Sequence, residues 1–137
     1  YKIKKNNLIL IDDYAHHPSE LKAFISSARE LFVGKKITVV FQPHLFSRTQ
    51  DFVTEFAKEL GRVDELILLD IYPARETEIK GVNSEWLFSK IDNKNKVLVK
   101  DEDLIAYLSK VKTDVLVTLG AGNIDRFVGQ IKEQRTT

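Results

Sequence analysis

There is no cysteine anywhere in the 137-residue sequence. Disulfides and thiolate metal sites are therefore excluded, and the absence is compatible with a cytoplasmic home. Methionine is missing too, even at position 1, where Tyr1 stands. The chain is accordingly expected to be a piece of a longer polypeptide. Tyr1-Lys-Ile-Lys-Lys5 has none of the hydrophobicity of a signal segment. No apolar run approaches the roughly 20 residues that span a bilayer. Neither charge sign dominates, since 21 basic residues face 20 acidic ones for a net charge of +1. No global field is available to draw in nucleic acid or an anionic membrane, so neither is expected as a partner. What is present, 43% hydrophobic and 30% charged residues, suits one soluble domain with a sizeable core.

The most telling stretch is Leu8-Ile-Leu-Ile-Asp12-Asp13-Tyr14-Ala15-His16-His17-Pro18. Its apolar, β-branched start reads as a buried strand. Its end is a set of ionisable groups that are costly to bury and useless as filling, which points to a site. Upstream, Lys2 to Lys5 and Asn6-Asn7 predict a short antiparallel edge strand entering through a tight hairpin. Downstream the period changes. Leu21, Phe24, Ile25, Ala28, Leu31 and Phe32 predict a helix opened by Pro18 and ended by Gly34.

The alternation continues along the chain. A strand is expected over Ile37–Phe41, then a polar loop from Gln42 to Thr49, then a helix through Phe52, Phe56 and Leu60 closed by Gly61. Leu66–Ile71 reads as the next strand and Tyr72–Glu76 as its loop. Ser84 is expected to cap a short helix through Leu87, Phe88 and Ile91. Val97–Val99 is a brief strand, Asp101 the cap of a helix through Leu104 and Leu108, and Val115–Leu119 the last strand. Gly120-Ala-Gly122-Asn123 leads into a final helix. The predicted architecture is α/β: an open, mostly parallel Rossmann-like sheet with helices on both faces and a short antiparallel edge strand, as one domain over residues 1–137.

In such a sheet the strand carboxyl ends share one edge, where ligands bind. Four of the apolar runs end there in polar segments: Asp12–His17, Gln42–Thr49, Tyr72–Glu76 and Gly120–Asn123. The fold thus gathers Asp13, Tyr14, His16, His17, His44, Arg48, Arg75 and Glu76 on one rim, including all three histidines of the chain. Plainer readings stand beside this one. Asp12 and Asp13 could cap backbone amides. His16-His17-Pro18 could simply open a helix, and Arg75-Glu76 could be a loop ion pair. Metal ligation is not expected, because adjacent histidines seldom aim at one ion. Arg48 falls in a first helical turn, where a cation opposes the helix dipole unless an anion offsets it. It therefore reads as an anion clamp, guanidinium and helix amides together facing a carboxylate or phosphate. Gly120 and Gly122 are expected where the backbone comes close to its neighbours and its amides can meet a ligand. Gly34-Lys35 is no P-loop, and no nucleophile stands beside a base in a triad.

Asp13-Tyr-Ala-His-His-Pro18, Phe41-Gln-Pro-His-Leu-Phe-Ser-Arg-Thr49, Tyr72-Pro-Ala-Arg-Glu76 and Leu119-Gly-Ala-Gly122 together resemble the C-terminal domain of the Mur ligases, nearest the alanine-adding branch. The likeness runs over nearly the whole chain. The murein-tripeptide recycling ligase is the nearest confusable relative. The resemblance implies a cytoplasmic three-domain ligase of peptidoglycan precursor synthesis. Its N-terminal domain binds UDP-N-acetylmuramate, and its central domain binds ATP and Mg²⁺. A C-terminal domain like this chain closes over them and holds L-alanine, and is inactive alone. By the same resemblance Asp13 contacts the nucleotide, while Tyr14, His16, His44 and Arg48 surround the amino acid and the reacting centre. His17, Arg75, Glu76, Gly120 and Gly122 are further rim contacts. The family often has a second arginine where Leu45 stands and an aspartate where Asn123 stands. A stand-alone nucleotide- or partner-binding module is the alternative reading.

Overall fold

The computed structural model describes residues 2–5 and 8–120. The Asn6-Asn7 turn, Gly122, Asn123 and the expected last helix lie outside the described residues. Strand β1 (Lys2–Lys5) pairs antiparallel with β2 (Leu8–Asp13). Helix α1 (Pro18–Leu31), β3 (Ile37–Gln42), α2 (Phe46–Asp51), α3 (Val53–Leu60), β4 (Glu65–Leu68), α4 (Ser84–Lys90), β5 (Lys96–Leu98), α5 (Leu104–Leu108) and β6 (Val115–Gly120) follow. The sheet order is β1-β2-β6-β3-β4-β5, and every pairing after the first is parallel. The edge strand and the parallel sheet are therefore as the sequence predicts.

Strand side chains alternate between two apolar layers. Ile9, Val39, Phe41, Leu66, Leu68, Val115, Val117 and Leu119 face the buried residues of α1, α3 and α4. Leu10, Val40, Ile67 and Leu116 face Leu104 and Leu108 of α5. A sheet buried on both faces needs near-continuous apolar strands, and β6 is buried at all six positions. This double burial fixes the register, because a slip by one residue would exchange the two layers.

Several boundaries depart from expectation. The helix α1 stops at Leu31, where the Phe32 amide closes it on the Ala28 carbonyl, and Gly34 lies beyond it in a turn at φ +81°. The stretch expected as a polar loop becomes helical at Phe46, and two helices meet at Phe52 rather than one beginning there. Ser47 and Thr49 gave this segment a polar look, yet Phe46 and Thr49 are buried. Asn83, not Ser84, caps α4 through its side chain, accepting from the Trp86 amide. The buried Ser84 hydroxyl instead donates to the Leu69 carbonyl, tying α4 to the end of β4. Asp101 opens a 3₁₀ turn, and the helix proper starts at Leu104 with Asp103, not Asp101, at its N-cap position. β4 ends at Leu68, although the Leu69 amide still reaches the Phe41 carbonyl at 3.0 Å.

No helix among the described residues is long and apolar enough to cross a membrane.

Candidate functional site

Parallel pairing sets the polar segments side by side. Asp13 pairs with Leu119, Gln42 with Gly120, and past the strand ends His44 bridges to Tyr72. The close approach expected at Gly120 is present: its φ is +126°, and a Cβ there would lie 2.5 Å from the Gln42 carbonyl oxygen. Only glycine lets these two strand ends run this close.

Two histidines meet over this edge. The His16 and His44 rings lie 5.9 Å apart, edge to face at 71°, and the Tyr72 ring stands 5.8 Å from His44. Each imidazole is held by one nitrogen. His16 Nδ1 lies 2.7 Å from the Tyr14 carbonyl and 3.6 Å from the Glu20 carboxylate. A carbonyl only accepts, so Nδ1 of His16 carries the hydrogen. His44 Nδ1 lies 3.0 Å from Nη1 of Arg48. A guanidinium only donates, so Nδ1 of His44 is the acceptor and its hydrogen sits on Nε2. Burial pushes the His44 imidazole pKa down, and the charges of Arg48 and then His16 push the same way against an opposing pull from Glu76. His44 is thus kept neutral.

His17 goes elsewhere. Its Nδ1 accepts from the Ser19 amide as the N-cap of α1, and its ring meets Phe52 at 4.8 Å. It is a helix cap facing a shallow groove with Lys22, Asp51 and Glu55, and the helix-opening reading of this histidine holds. Glu20 completes the capping box, accepting from the His17 amide at 3.0 Å and the His16 amide at 3.4 Å. Burial works to raise the Glu20 carboxyl, but those two amides and the neighbouring imidazoles hold it below its ordinary value.

The anion clamp is only half as expected. Arg48 is the third residue of α2, and a carboxylate does sit at that helix start, but it is the chain's own and bonds Ser47 instead of Arg48. Glu76 accepts from the Ser47 amide at 3.1 Å and from the Ser47 hydroxyl. These bonds hold the Glu76 carboxyl below its usual range. The helix amide is therefore taken, and the remaining N–H groups of Arg48 are the donors left for an outside anion. Glu76 does not pair with Arg75, which is exposed and makes no ion pair among the described residues.

Leu45, between His44 and α2, has φ +72°. Its amide donates to the Tyr72 carbonyl at 2.9 Å, and its carbonyl accepts from the Thr49 hydroxyl at 2.8 Å. A leucine held in this disfavoured region marks a turn that its surroundings over-determine. The aspartates behave partly as the plainer reading held: Asp13 accepts from the Ala15 amide at 2.9 Å and Asp12 from the Thr118 hydroxyl at 2.7 Å. The Tyr14 side chain is 62% exposed, at the same end of the sheet.

Sequence reading missed Tyr72, Ser47 and Glu20 as parts of this site. Glu20 carried a signal, a glutamate three residues into a helix as in a capping box; histidine as the opposite cap hid it, being no usual N-cap. Among the described residues no three histidines or carboxylates converge as metal ligands.

The sequence matches the family described as "Mur ligase, glutamate ligase domain" over residues 2–122. It is 52% identical over 134 residues to a UDP-N-acetylmuramate–L-alanine ligase of Flavobacterium psychrophilum, covering 98% of this chain and 30% of that protein. In three dimensions it is similar to the UDP-N-acetylmuramate–alanine ligase of Thermotoga maritima, with TM-score 0.69 and 27% identity over 96% of this chain and 29% of that one. A murein peptide ligase of Psychrobacter arcticus shares the fold, with TM-score 0.71 and 16% identity over 94% of this chain and 28% of that one. The chain thus spans about 30% of the length of the relatives it matches.

Proposed function

We infer the role of this chain from one premise: it belongs to the Mur ligase family and corresponds to the glutamate ligase domain. It is the C-terminal domain of a longer, three-domain UDP-N-acetylmuramate–L-alanine ligase. The whole enzyme joins L-alanine to the muramoyl carboxylate at the expense of ATP, in the cytoplasm, during peptidoglycan precursor synthesis. The carboxylate is first phosphorylated, and the amine then attacks the acyl phosphate.

The observation that carries this reading is the meeting of His16, His44 and Arg48 at one sheet edge, with ring centroids 5.9 Å apart and a 3.0 Å bond from Arg48 to His44. Acyl transfer from an acyl phosphate needs donors and cations fixed where negative charge develops. Arg48 meets the carboxylate of the amino acid or the phosphoryl oxygens, and His44 offers a neutral N–H. Asp13 faces the nucleotide, and Tyr14 stands exposed at the same end of the sheet. The sequence holds no P-loop motif. ATP and its metal are held by the rest of the enzyme, and this domain closes over them to exclude water from a hydrolysable intermediate.

The test is phosphate release by the full-length protein supplied with ATP, UDP-N-acetylmuramate and one amino donor at a time. Release that depends on L-alanine supports the reading. Release with the murein tripeptide in its place would assign the recycling reaction, and release with neither would overturn the ligase assignment.

A further inference from the structure

The two rim histidines are held through their Nδ1 atoms by partners of opposite kind. His16 Nδ1 donates to the Tyr14 carbonyl at 2.7 Å, with the Glu20 carboxylate 3.6 Å away. His44 Nδ1 accepts from Arg48 at 3.0 Å. The nitrogen left on each ring, Nε2, is therefore a lone pair on His16 and an N–H on His44. Among the described residues neither Nε2 has a hydrogen-bond partner.

We propose that His16 is the base that takes the proton of the incoming amino group, and that His44 is a neutral hydrogen-bond donor that never takes it. The proposal rests on the ligase reading above and adds a division of labour to it.

The chemistry balances with the groups named. The substrate arrives as an ammonium ion, which has no lone pair to attack with. His16 Nε2 takes one proton and becomes imidazolium, stabilised at its other nitrogen by the Tyr14 carbonyl and the Glu20 carboxylate. A base oriented by a third group is the usual arrangement for activating a nucleophile. The freed nitrogen pair forms the C–N bond to the acyl carbon. The C–O bond to phosphate breaks with its electron pair staying on phosphate, and the second N–H proton passes to that departing phosphate as the amide forms. His44 cannot replace His16. A proton on its Nδ1 would face the Arg48 guanidinium, and the charged or titratable groups nearby are Arg48, His16, Tyr72 and Glu76, of which only the last opposes this. Two like groups set apart by their surroundings identify acid, base and donor roles.

The experiment uses the full-length enzyme with ATP, UDP-N-acetylmuramate and either L-alanine or hydroxylamine, an amine already unprotonated at neutral pH. His16→Gln is expected to lower kcat/KM for L-alanine by about 100-fold or more. Hydroxamate formation should fall far less, so the ratio of hydroxamate to peptide rises. His44→Gln, whose amide still donates, should leave that ratio near wild type whatever the loss in rate. An unchanged ratio in His16→Gln, whether both products fall together or neither does, overturns the proposal. Wild-type enzyme that forms hydroxamate but no alanyl product would instead sink the L-alanine assignment on which the proposal rests. A second readout needs no activity. In ¹⁵N-histidine-labelled full-length protein, neutral His16 should carry hydrogen on Nδ1 and His44 on Nε2, and the reverse pair of tautomers overturns the assignment.

Discussion

Nη1 of Arg48 donates to Nδ1 of His44 across 3.0 Å, and this one bond leaves Nε2 as the nitrogen that carries the hydrogen. The two residues flank Leu45, whose positive φ turns the chain from the strand end into α2. His44 lies before the helix, so it is the turn at Leu45 that brings its ring to Arg48 in the first turn of α2. Glu76 then holds the start of that turn through Ser47. The geometry of the pair is built from backbone upward, with the charges added to a turn that is already fixed.

His44 should titrate below the ordinary histidine value of about 6.5, with burial as the main cause and the Arg48 charge as the next. In the pH window below about 6.5 the unfolded chain binds the proton that the folded site resists, so stability rises with pH there and is lost as pH falls. Histidine NMR titration checks the midpoint. Arg48→Ala should move it upward; a midpoint at or above 6.5 in the unsubstituted protein contradicts the arrangement.

Glu76→Ala should loosen α2, because the Ser47 amide and hydroxyl lose their acceptor. The carboxyl is held low by these bonds, so its contribution is present above the ordinary carboxylate value and disappears as pH falls through the lowered one. Thermal melting of the two proteins should therefore differ at neutral pH and converge in acid. A gap that stays constant with pH would show that the carboxylate charge has no part.

Gly120→Ala places a Cβ 2.5 Å from a backbone oxygen that cannot move aside, at a φ of +126°. A loss of about 3 kcal/mol is expected. Gly34→Ala, with nothing within 4 Å of its Cβ at φ +81°, should cost only about 1 kcal/mol. Denaturant unfolding of both checks the contrast, and equal losses would mean that strain alone, without the close approach to Gln42, matters at the sheet edge.

Much of this was legible from the sequence. Continuous apolar runs such as Val115–Leu119 announced parallel strands buried on both sides, and alternation with helical periods gave the topology. From that, the meeting of Asp13, His44 and Gly120 followed without coordinates. The extent of the Phe46–Asp51 helix was only partly legible: Arg48 reads as first-turn, but the loop was carried to Thr49, and the helix start is held by Glu76, which lies 29 residues from Ser47. The residues alone could not separate His16 from His17, which only the family resemblance told apart. They are chemically identical neighbours, and only the backbone direction at the start of α1 sends one to the rim and the other to the cap.

The central claim is that the rim made by His16, His44 and Arg48 holds the amino acid for a reaction driven by the rest of the enzyme. The most direct measurement is steady-state kinetics of full-length Arg48→Ala with L-alanine varied. The expected result is a fall in kcat/KM for L-alanine of about 100-fold, in line with about 3 kcal/mol for a lost charge-assisted contact, with the KM for ATP little changed. Unaltered kinetics for L-alanine would contradict it.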